Sequence, residues 1–406
     1  MVDSIYYTDE IEDTEYLDRY RTGGYHPVRL GDTYKGKWTY KILLKLGFGN
    51  TSTVWLGRVL NVDPIEYVAL KFVVSNPPNN GNEEQVLKWL SAPGQAGPPH
   101  LGKQYVVHPL DSFTINGPNG RHDVFVTEVV GPNFPTVQLQ CYDRSILSGG
   151  AFPPLPATRV ARQLLMALDY LRSRGVVHGD IQPRNLATTI PNLRGLAEAT
   201  VVEYFGGNPS RGPVLRWDGT HKNDPEIGRS VPAEVVETSS LKLAEKMAQD
   251  GKLLQLPDLK IVDFGQAFIR EPKQKFNKLP YNLYTPETYR APEILVYKTF
   301  NLDNPFAADL WSAGCAIFYI ATGTVPIDTS GVSLLKAWLI ALDETAPSTW
   351  ITALPLIERG CMDRIISSGH DTLDSLIAGL YPYPDKQDFA NFLRLILVMR
   401  PEKRAI

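Results

Sequence analysis

Val176-Val177-His178-Gly179-Asp180-Ile181-Gln182-Pro183-Arg184-Asn185-Leu186 is the stretch on which the reading of this chain turns. A helical pattern from Thr158 to Arg174 precedes it and stops at Gly175. An aspartate and an asparagine then stand five positions apart in a short polar loop bounded by apolar residues. That spacing suits phosphoryl transfer. A carboxylate at Asp180 can accept the hydrogen bond of an attacking hydroxyl, and Asn185 can turn its amide oxygen toward a magnesium ion.

Working outward, Tyr40 to Leu46 reads as a strand, Gly47-Phe48-Gly49-Asn50-Thr51-Ser52 as a turn, and Thr53 to Val59 as a second strand rich in β-formers. Strand, glycine turn, strand is the geometry of a flap whose N–H groups can cover phosphates, and also that of an ordinary hairpin. Tyr67 to Val74 is a third strand whose one charge, Lys71, lies among apolar neighbours. Glu83, Glu84, Val86, Leu87 and Leu90 follow with helical spacing. A glutamate here can pair with Lys71 and hold it against phosphates. The position three residues before Val86-Leu87 favours Glu83, with Glu84 the alternative. Asp123 to Gly131 is a buried-strand pattern ending at a glycine. Past the loop, Pro191 to Leu256 breaks the pattern and reads as an insertion, loop-like at first and then helical from Leu241 to Gln249. Leu259-Lys260-Ile261-Val262 makes a short strand with Asp263-Phe264-Gly265 at its end. A carboxylate at a strand end, followed by glycine, is a good Mg²⁺ ligand position.

Composition sets the outer limits. With 406 residues, 43% hydrophobic and 21% charged, the chain has an ordinary globular make-up and room for two lobes. A net charge of -3 gives no reason to expect a nucleic-acid surface. Cys141, Cys315 and Cys361 are widely separated and include no C-x-x-C pair, which argues against a disulfide framework or zinc site. Residues 1–30 read as a polar arm, mobile until Gly23-Gly24 and lacking the basic and apolar regions of a secretory signal. No apolar run reaches the roughly 18 residues of a membrane span. The expectation is a soluble intracellular protein.

The loop resembles the protein-kinase catalytic loop H-R-D-L-K-x-x-N, and further motifs follow in the same order. Val68-Ala69-Leu70-Lys71 is similar to V-A-I-K, Asp263-Phe264-Gly265 to D-F-G, Ala291-Pro292-Glu293 to A-P-E, and Asp309-Leu310-Trp311-Ser312-Ala313-Gly314 to D-x-W-S-x-G. From about residue 24 the chain resembles a eukaryotic protein kinase, and more narrowly an SR-protein kinase. Gly23-Gly24-Tyr25-His26-Pro27-Val28…Gly31-Asp32 resembles that family's G-G-Y-H-P-V…G-D. Leu46-Gly47-Phe48-Gly49…Ser52-Thr53-Val54-Trp55-Leu56 resembles its L-G-W-G…S-T-V-W-L, and the insertion stands where the family carries a spacer.

The resemblance implies an α+β, bilobal fold. Residues 31–131 would form a β-rich N-lobe with one main helix and the hinge. Residues 132–406 would form a mainly helical C-lobe, with the spacer at about 191–256. It implies ATP and Mg²⁺ as cofactors and an Arg/Ser-rich splicing factor as protein substrate, phosphorylated on serine or threonine. It further implies a monomer of the cytoplasm and nucleus that binds neither nucleic acid nor membrane. Asp180, Lys71, Glu83 and Gln182 would be catalytic, and Asn185 and Asp263 would hold the metal. Leu46, Gly47, Gly49, Val54, Ala69, Lys71, Thr127, Glu128, Val130 and Ala187 would line the nucleotide. Of these, Thr127 would stand at the back, the Glu128 and Val130 backbones on the adenine edge, and Ala187 as an unusually small floor. Arg404 would pair with Glu293, and a last C-lobe helix would follow Ile406, where the sequence stops.

Three positions depart from the family pattern. Gln182 replaces the lysine that neutralises the transferring phosphoryl, a loss worth about 2–4 kcal/mol in the transition state. Gly179 replaces the arginine that binds an activation-loop phosphate. Pro286 stands where related kinases have the threonine of T-x-x-Y-R, with Thr285 and Thr288 close by. The alternative to an active kinase is a pseudokinase that binds nucleotide or partners.

Overall fold

The computed structural model describes residues 5–12, 14–77, 82–92, 99–143, 151–152, 154–250, 257–270, 285–298, 304–329, 331–354 and 372–404. The chain divides into two compact units. The first comprises Met1–Ser91, Val107–Pro132 and Thr189–Lys252; the second comprises Ala92–Val106, Asn133–Thr188 and Leu253–Ile406.

A six-stranded antiparallel sheet builds the first unit, in the order β2-β3-β4-β5-β7-β6. Its strands are β2 (Thr33–Lys35), β3 (Thr39–Gly49), β4 (Ser52–Val59), β5 (Glu66–Val73), β6 (Pro109–Gly117) and β7 (Gly120–Thr127). Alternation does the sorting: Tyr40 and Ile42, then Val68, Leu70 and Phe72, then Val124 and Val126 join one buried cluster with Trp55. Between β3 and β4 the register shifts at Ile42/Leu44 and again at Lys45/Gly47. These irregularities bend the ladder just before the glycine turn. Helix α1 (Asn82–Ser91) buries Val86, Leu87 and Leu90, and Glu83 with them.

The expectation of a mobile polar arm at residues 1–30 is corrected over the described part, from Ile5 onward. β1 (Tyr6–Tyr7) pairs with β11 (Leu215–Arg216), and Tyr7 stacks on Trp217 at 3.8 Å. Ile11, Leu17, Tyr20, Tyr25 and Val28 are buried. The acidic average hid a regular scatter of apolar anchors, which supply the burial that ordering a segment requires. Glu15 is buried as well. It accepts from Tyr20 Oη and pairs with Lys45 Nζ, itself fully buried between the rings of Phe48 and Trp55.

The insertion folds into the first unit, although it follows the Asp180 loop in sequence. Its elements are α4 (Glu198–Tyr204), β10 (Arg211–Pro213) paired with β12 (Glu234–Val236), and α5 (Ser239–Gln249). The helix expected at Leu241–Gln249 is thus present and starts two residues earlier. Glu198 takes bonds from Lys41 Nζ at 2.9 Å and Arg58 Nη1 at 3.0 Å. Tyr67 Oη donates to Leu196 O at 2.8 Å. Residues 251–256, Cys361 and the side chain of Cys141 lie outside what is described.

Helices dominate the second unit, so the α+β composition holds. α2 (Phe134–Asp143), α3 (Pro154–Ser173), α6 (Pro292–Tyr297) and α7 (Phe306–Thr322) carry most of it. α7 is buried on nearly every face and packs against α3. Two short ladders flank the Asp180 loop: β8 (Val176–Val177) with β14 (Phe268–Ile269), and β9 (Leu186–Thr188) with β13 (Leu259–Ile261). Among the described residues no helix is long and apolar enough to cross a membrane.

Candidate active site

His178 begins the site. Its backbone N–H donates to Asp309 Oδ2 at 2.7 Å, and the N–H of Gly179 donates to Asp309 Oδ1 at 2.9 Å. Both carboxylate oxygens of a buried α7 residue thus fix the start of the loop, and burial pushes Asp309 up to about 7 against those two bonds. The His178 ring lies 3.2 Å from Val262 O through Nε2 and meets the buried Phe264 edge-on at 4.9 Å. Gly179 takes φ +76°, a left-handed conformation that glycine adopts freely.

Asp180 follows, held from several sides. Gln182 Nε2 donates to Oδ1 at 2.9 Å and to Oδ2 at 3.0 Å. Asn185 Nδ2 donates to Oδ2 at 2.8 Å and to the Asp180 carbonyl at 2.9 Å. Burial raises the pKa of Asp180, and the charge of Asp263 raises it further, while hydrogen bonds from Thr285, Gln182 and Asn185 oppose the shift. Asp263 itself sits at φ +65°, with Oδ1 accepting from Gly265 N at 3.1 Å. The Val262 N–H donates to Asn185 O at 3.0 Å, tying the two stretches together.

Sequence reasoning missed what Thr285 does. Its hydroxyl donates to Gly179 O at 2.8 Å, and its carbonyl accepts from Arg290 Nε at 2.6 Å. Pro286 has no hydroxyl to offer, and the residue before it supplies one. The signal was present in the sequence as a threonine one position out of register. Asp309 was also quotable from its motif, but its bonds to the loop were not.

In the first unit, Lys71 Nζ lies 2.6 Å from Glu83 Oε1 and 2.8 Å from Oε2. Glu84 instead receives Lys88 Nζ at 2.6 Å, so the choice left open by the sequence falls to Glu83. Lys71 stands opposite Val54 on β4, and Ala69 opposite Thr127 on β7. A Cβ added at Gly47 or Gly49 would meet nothing within 4 Å. The turn is nevertheless held by its neighbours: Gly49 O accepts from Tyr25 Oη at 2.7 Å and Leu46 O from Ser240 Oγ at 2.9 Å. The Glu128 N–H donates to His108 O at 3.1 Å and its carbonyl accepts from Thr127 Oγ1 at 3.1 Å; Val130 is partly exposed. In the second unit Ala187 is buried on β9 opposite Lys260. Arg404 and Glu293 form the expected buried pair, with Nη1–Oε1 at 2.7 Å and Nη2–Oε2 at 2.6 Å.

The oxygens near Asp180 suit a hard cation. Asn185 spends its Nδ2 on Asp180, which leaves Oδ1 as an acceptor, and Asp263 brings a carboxylate. Among the described residues no cluster of three His, Cys, Asp or Glu could hold a metal alone. A pair of protein oxygens matches Mg²⁺, which keeps waters and substrate phosphates in the rest of its shell.

Residues 246–405 match the protein kinase domain family model. The chain is 30% identical over 317 residues to the serine/threonine-protein kinase SRPK of Physarum polycephalum, covering 76% of this chain and 66% of that protein. It is 34% identical over 188 residues to the serine/threonine-protein kinase SKY1 of Saccharomyces cerevisiae, 45% of this chain and 24% of that one. It is 30% identical over 246 residues to the human SRSF protein kinase 3, 59% and 39% respectively. The chain therefore spans less than two thirds of each of these relatives. Among solved structures, a kinase-domain crystal structure matches 93% of this chain at a TM-score of 0.57 and 16% identity, a likeness of fold.

Proposed function

The chain belongs to the protein kinase family, on its SR-protein kinase side, and from that premise we propose that it is an ATP-dependent serine/threonine kinase acting on Arg/Ser-rich splicing factors. The observation that carries the proposal is the set of bonds around Asp180. Gln182 and Asn185 hold its carboxylate in one orientation, beside the carboxylate of Asp263. A substrate hydroxyl within about 2.6–3.2 Å of Asp180 could pass its proton to a carboxylate already fixed in place. Burial beside Asp263 makes that carboxylate more basic, which favours proton acceptance. Asn185 Oδ1 and Asp263 would hold Mg²⁺, which when bound neutralises phosphate charge. Lys71, oriented by Glu83, would meet phosphate oxygens with a full charge. The same kinship supports residence in the cytoplasm and nucleus.

A radiometric assay with an Arg/Ser-repeat peptide, using Asp180→Asn as blank, tests this reading. We expect ³²P transfer by the wild type and loss of at least about a hundredfold in the variant, with nucleotide binding retained. Wild-type protein that binds ATP and transfers nothing would be the pseudokinase instead.

A further inference from the structure

Four serines of this chain stand next to an arginine: Ser145, Ser173, Ser210 and Ser230. Ser145 lies outside the described residues. Ser173 ends α3 and gives its hydroxyl to Tyr170 O at 2.7 Å, so its backbone is helical. Ser230 is buried, with its hydroxyl on Glu226. Ser210 differs from these. It is exposed, it closes the loop Gly206-Gly207-Asn208-Pro209-Ser210, and Arg211 after it begins β10. A hydroxyl meets another molecule's cleft where its segment is exposed and not wound into a helix, and Ser210 meets both conditions.

The neighbours of Ser210 give a phosphate there something to move. Its N–H donates to Glu237 Oε2 at 3.2 Å, and its carbonyl accepts from Glu237 N at 3.0 Å. The same Oε2 lies 2.7 Å from Lys242 Nζ. Burial works to raise Glu237, and the bonds from Lys242 and Ser210 outweigh it, so the carboxylate is lowered. Lys242 belongs to α5, and its stem packs under Gly206, where an added Cβ would meet Lys242 Cβ at 2.6 Å. Directly after Glu237, Thr238 bridges to Lys45 on β3, and Ser240 Oγ donates to Leu46 O at 2.9 Å. One carboxylate therefore joins the Ser210 loop to the start of α5, and the start of α5 holds the glycine turn. We propose that Ser210 is a phosphorylation site of this chain's own activity, and that the phosphate takes Lys242 from Glu237 and loosens the hold of α5 on the glycine turn. The transfer rests on the kinase reading; the loosening does not. In the transfer, the γ-phosphorus of ATP bonds to Ser210 Oγ as its bond to the bridging oxygen breaks. ADP leaves with that electron pair, and the hydroxyl proton passes to Asp180 of the acting copy. Phosphoserine brings about 1.5–2 negative charges and three acceptor oxygens. Beside Glu237 it repels a like charge, and to Lys242 it offers the stronger partner.

The test has two arms. In the first, the full chain is incubated with Mg²⁺, ATP and an Arg/Ser-repeat peptide, and its phosphates are mapped by mass spectrometry, with Asp180→Asn as control. Phosphate should appear on Ser210 rather than Ser173 in the wild type, and on neither in the variant. A phosphorylated peptide beside an unmodified Ser210 would overturn the proposal. If neither is phosphorylated, the kinase reading fails and the transfer with it, while the second arm still decides the loosening. That arm needs no kinase activity. Phosphoserine is placed at position 210 by genetic encoding, and amide hydrogen exchange is followed over residues 44–52 and 237–249. Exchange in both stretches should be at least about threefold faster than in the unmodified chain, and should return to its level after phosphatase treatment. Ser210→Ala retains the N–H and carbonyl that bond Glu237, and it should exchange as the wild type does; its melting temperature checks that it folds. Unchanged exchange with phosphoserine in place would overturn the loosening.

Discussion

The amide of Gln182 donates to both oxygens of Asp180, and a lysine in its place would bring a full positive charge to the same spot. Two carboxylates, Asp180 and Asp263, share that neighbourhood, with Asp180 raised by burial and by Asp263. Gln182→Lys should therefore increase kcat at least about tenfold and leave the KM for ATP little changed, because charge on the transferring group is largest in the transition state. Steady-state kinetics on one peptide decide it: an unaltered or lower kcat would mean that another group already supplies the charge. At this scale the sequence was informative wherever a motif holds a role at fixed spacing. Asp180, Asn185, Lys71 and Asp263 could be named before any coordinates. Thr285 could not, because its bond to Gly179 depends on how the chain returns 106 residues later. Which of Glu83 and Glu84 meets Lys71 likewise depends on the rotation of α1, and spacing alone only favoured one.

Strands β3, β4, β5 and β7 and helices α1 and α3 were legible because alternation and helical spacing report burial directly, whereas α4 and the β10–β12 ladder lie in a stretch that reads as loop. The first thirty residues were not, since their burial is carried by single apolar residues set in an acidic run. The buried charge pair that joins this stretch to β3 makes a sharp prediction. Glu15 and Lys45 are both buried; burial works to raise Glu15, and Lys45 outweighs it, leaving the pKa lowered. Glu15→Gln would take the Glu15 charge away from the buried Lys45 ammonium. The expected cost is about 3–5 kcal/mol, read as a drop in denaturation midpoint. The double variant Glu15→Leu with Lys45→Met should recover most of that loss, since apolar replacements of a buried pair are commonly near neutral. A single variant as stable as wild type would show that the arm does not hold this lysine in solution.

For the molecule as a whole, acid sensitivity follows from a histidine pair in the first unit. Burial, then the charge of His122, pushes His26 down to about 4, and His122 is lowered by burial too. The His26 ring bonds the Tyr34 hydroxyl at 3.2 Å through Nε2 and stacks near Phe72. An unfolded His26 takes up its proton near pH 6.5, the folded one only near 4. Between those values the unfolded chain binds the extra proton, so stability is full above 6.5 and falls as the pH drops toward 4. On the order of 2–3 kcal/mol is at stake from this one residue. Melting curves between pH 7 and 4.5 should show the slope, and His26→Phe, which keeps a ring and cannot titrate, should flatten it. Equal slopes in both proteins would remove His26 from the account. The bond between Ser240 Oγ and Leu46 O has a consequence of another kind, because its ends are 194 residues apart. A ribosome adding about 5–20 residues per second needs about 10–40 s to pass from one to the other. For that interval the glycine turn exists without the helix that holds it. The nascent N-terminal half must therefore wait, its sheet exposed along β3, until α5 emerges from the exit tunnel.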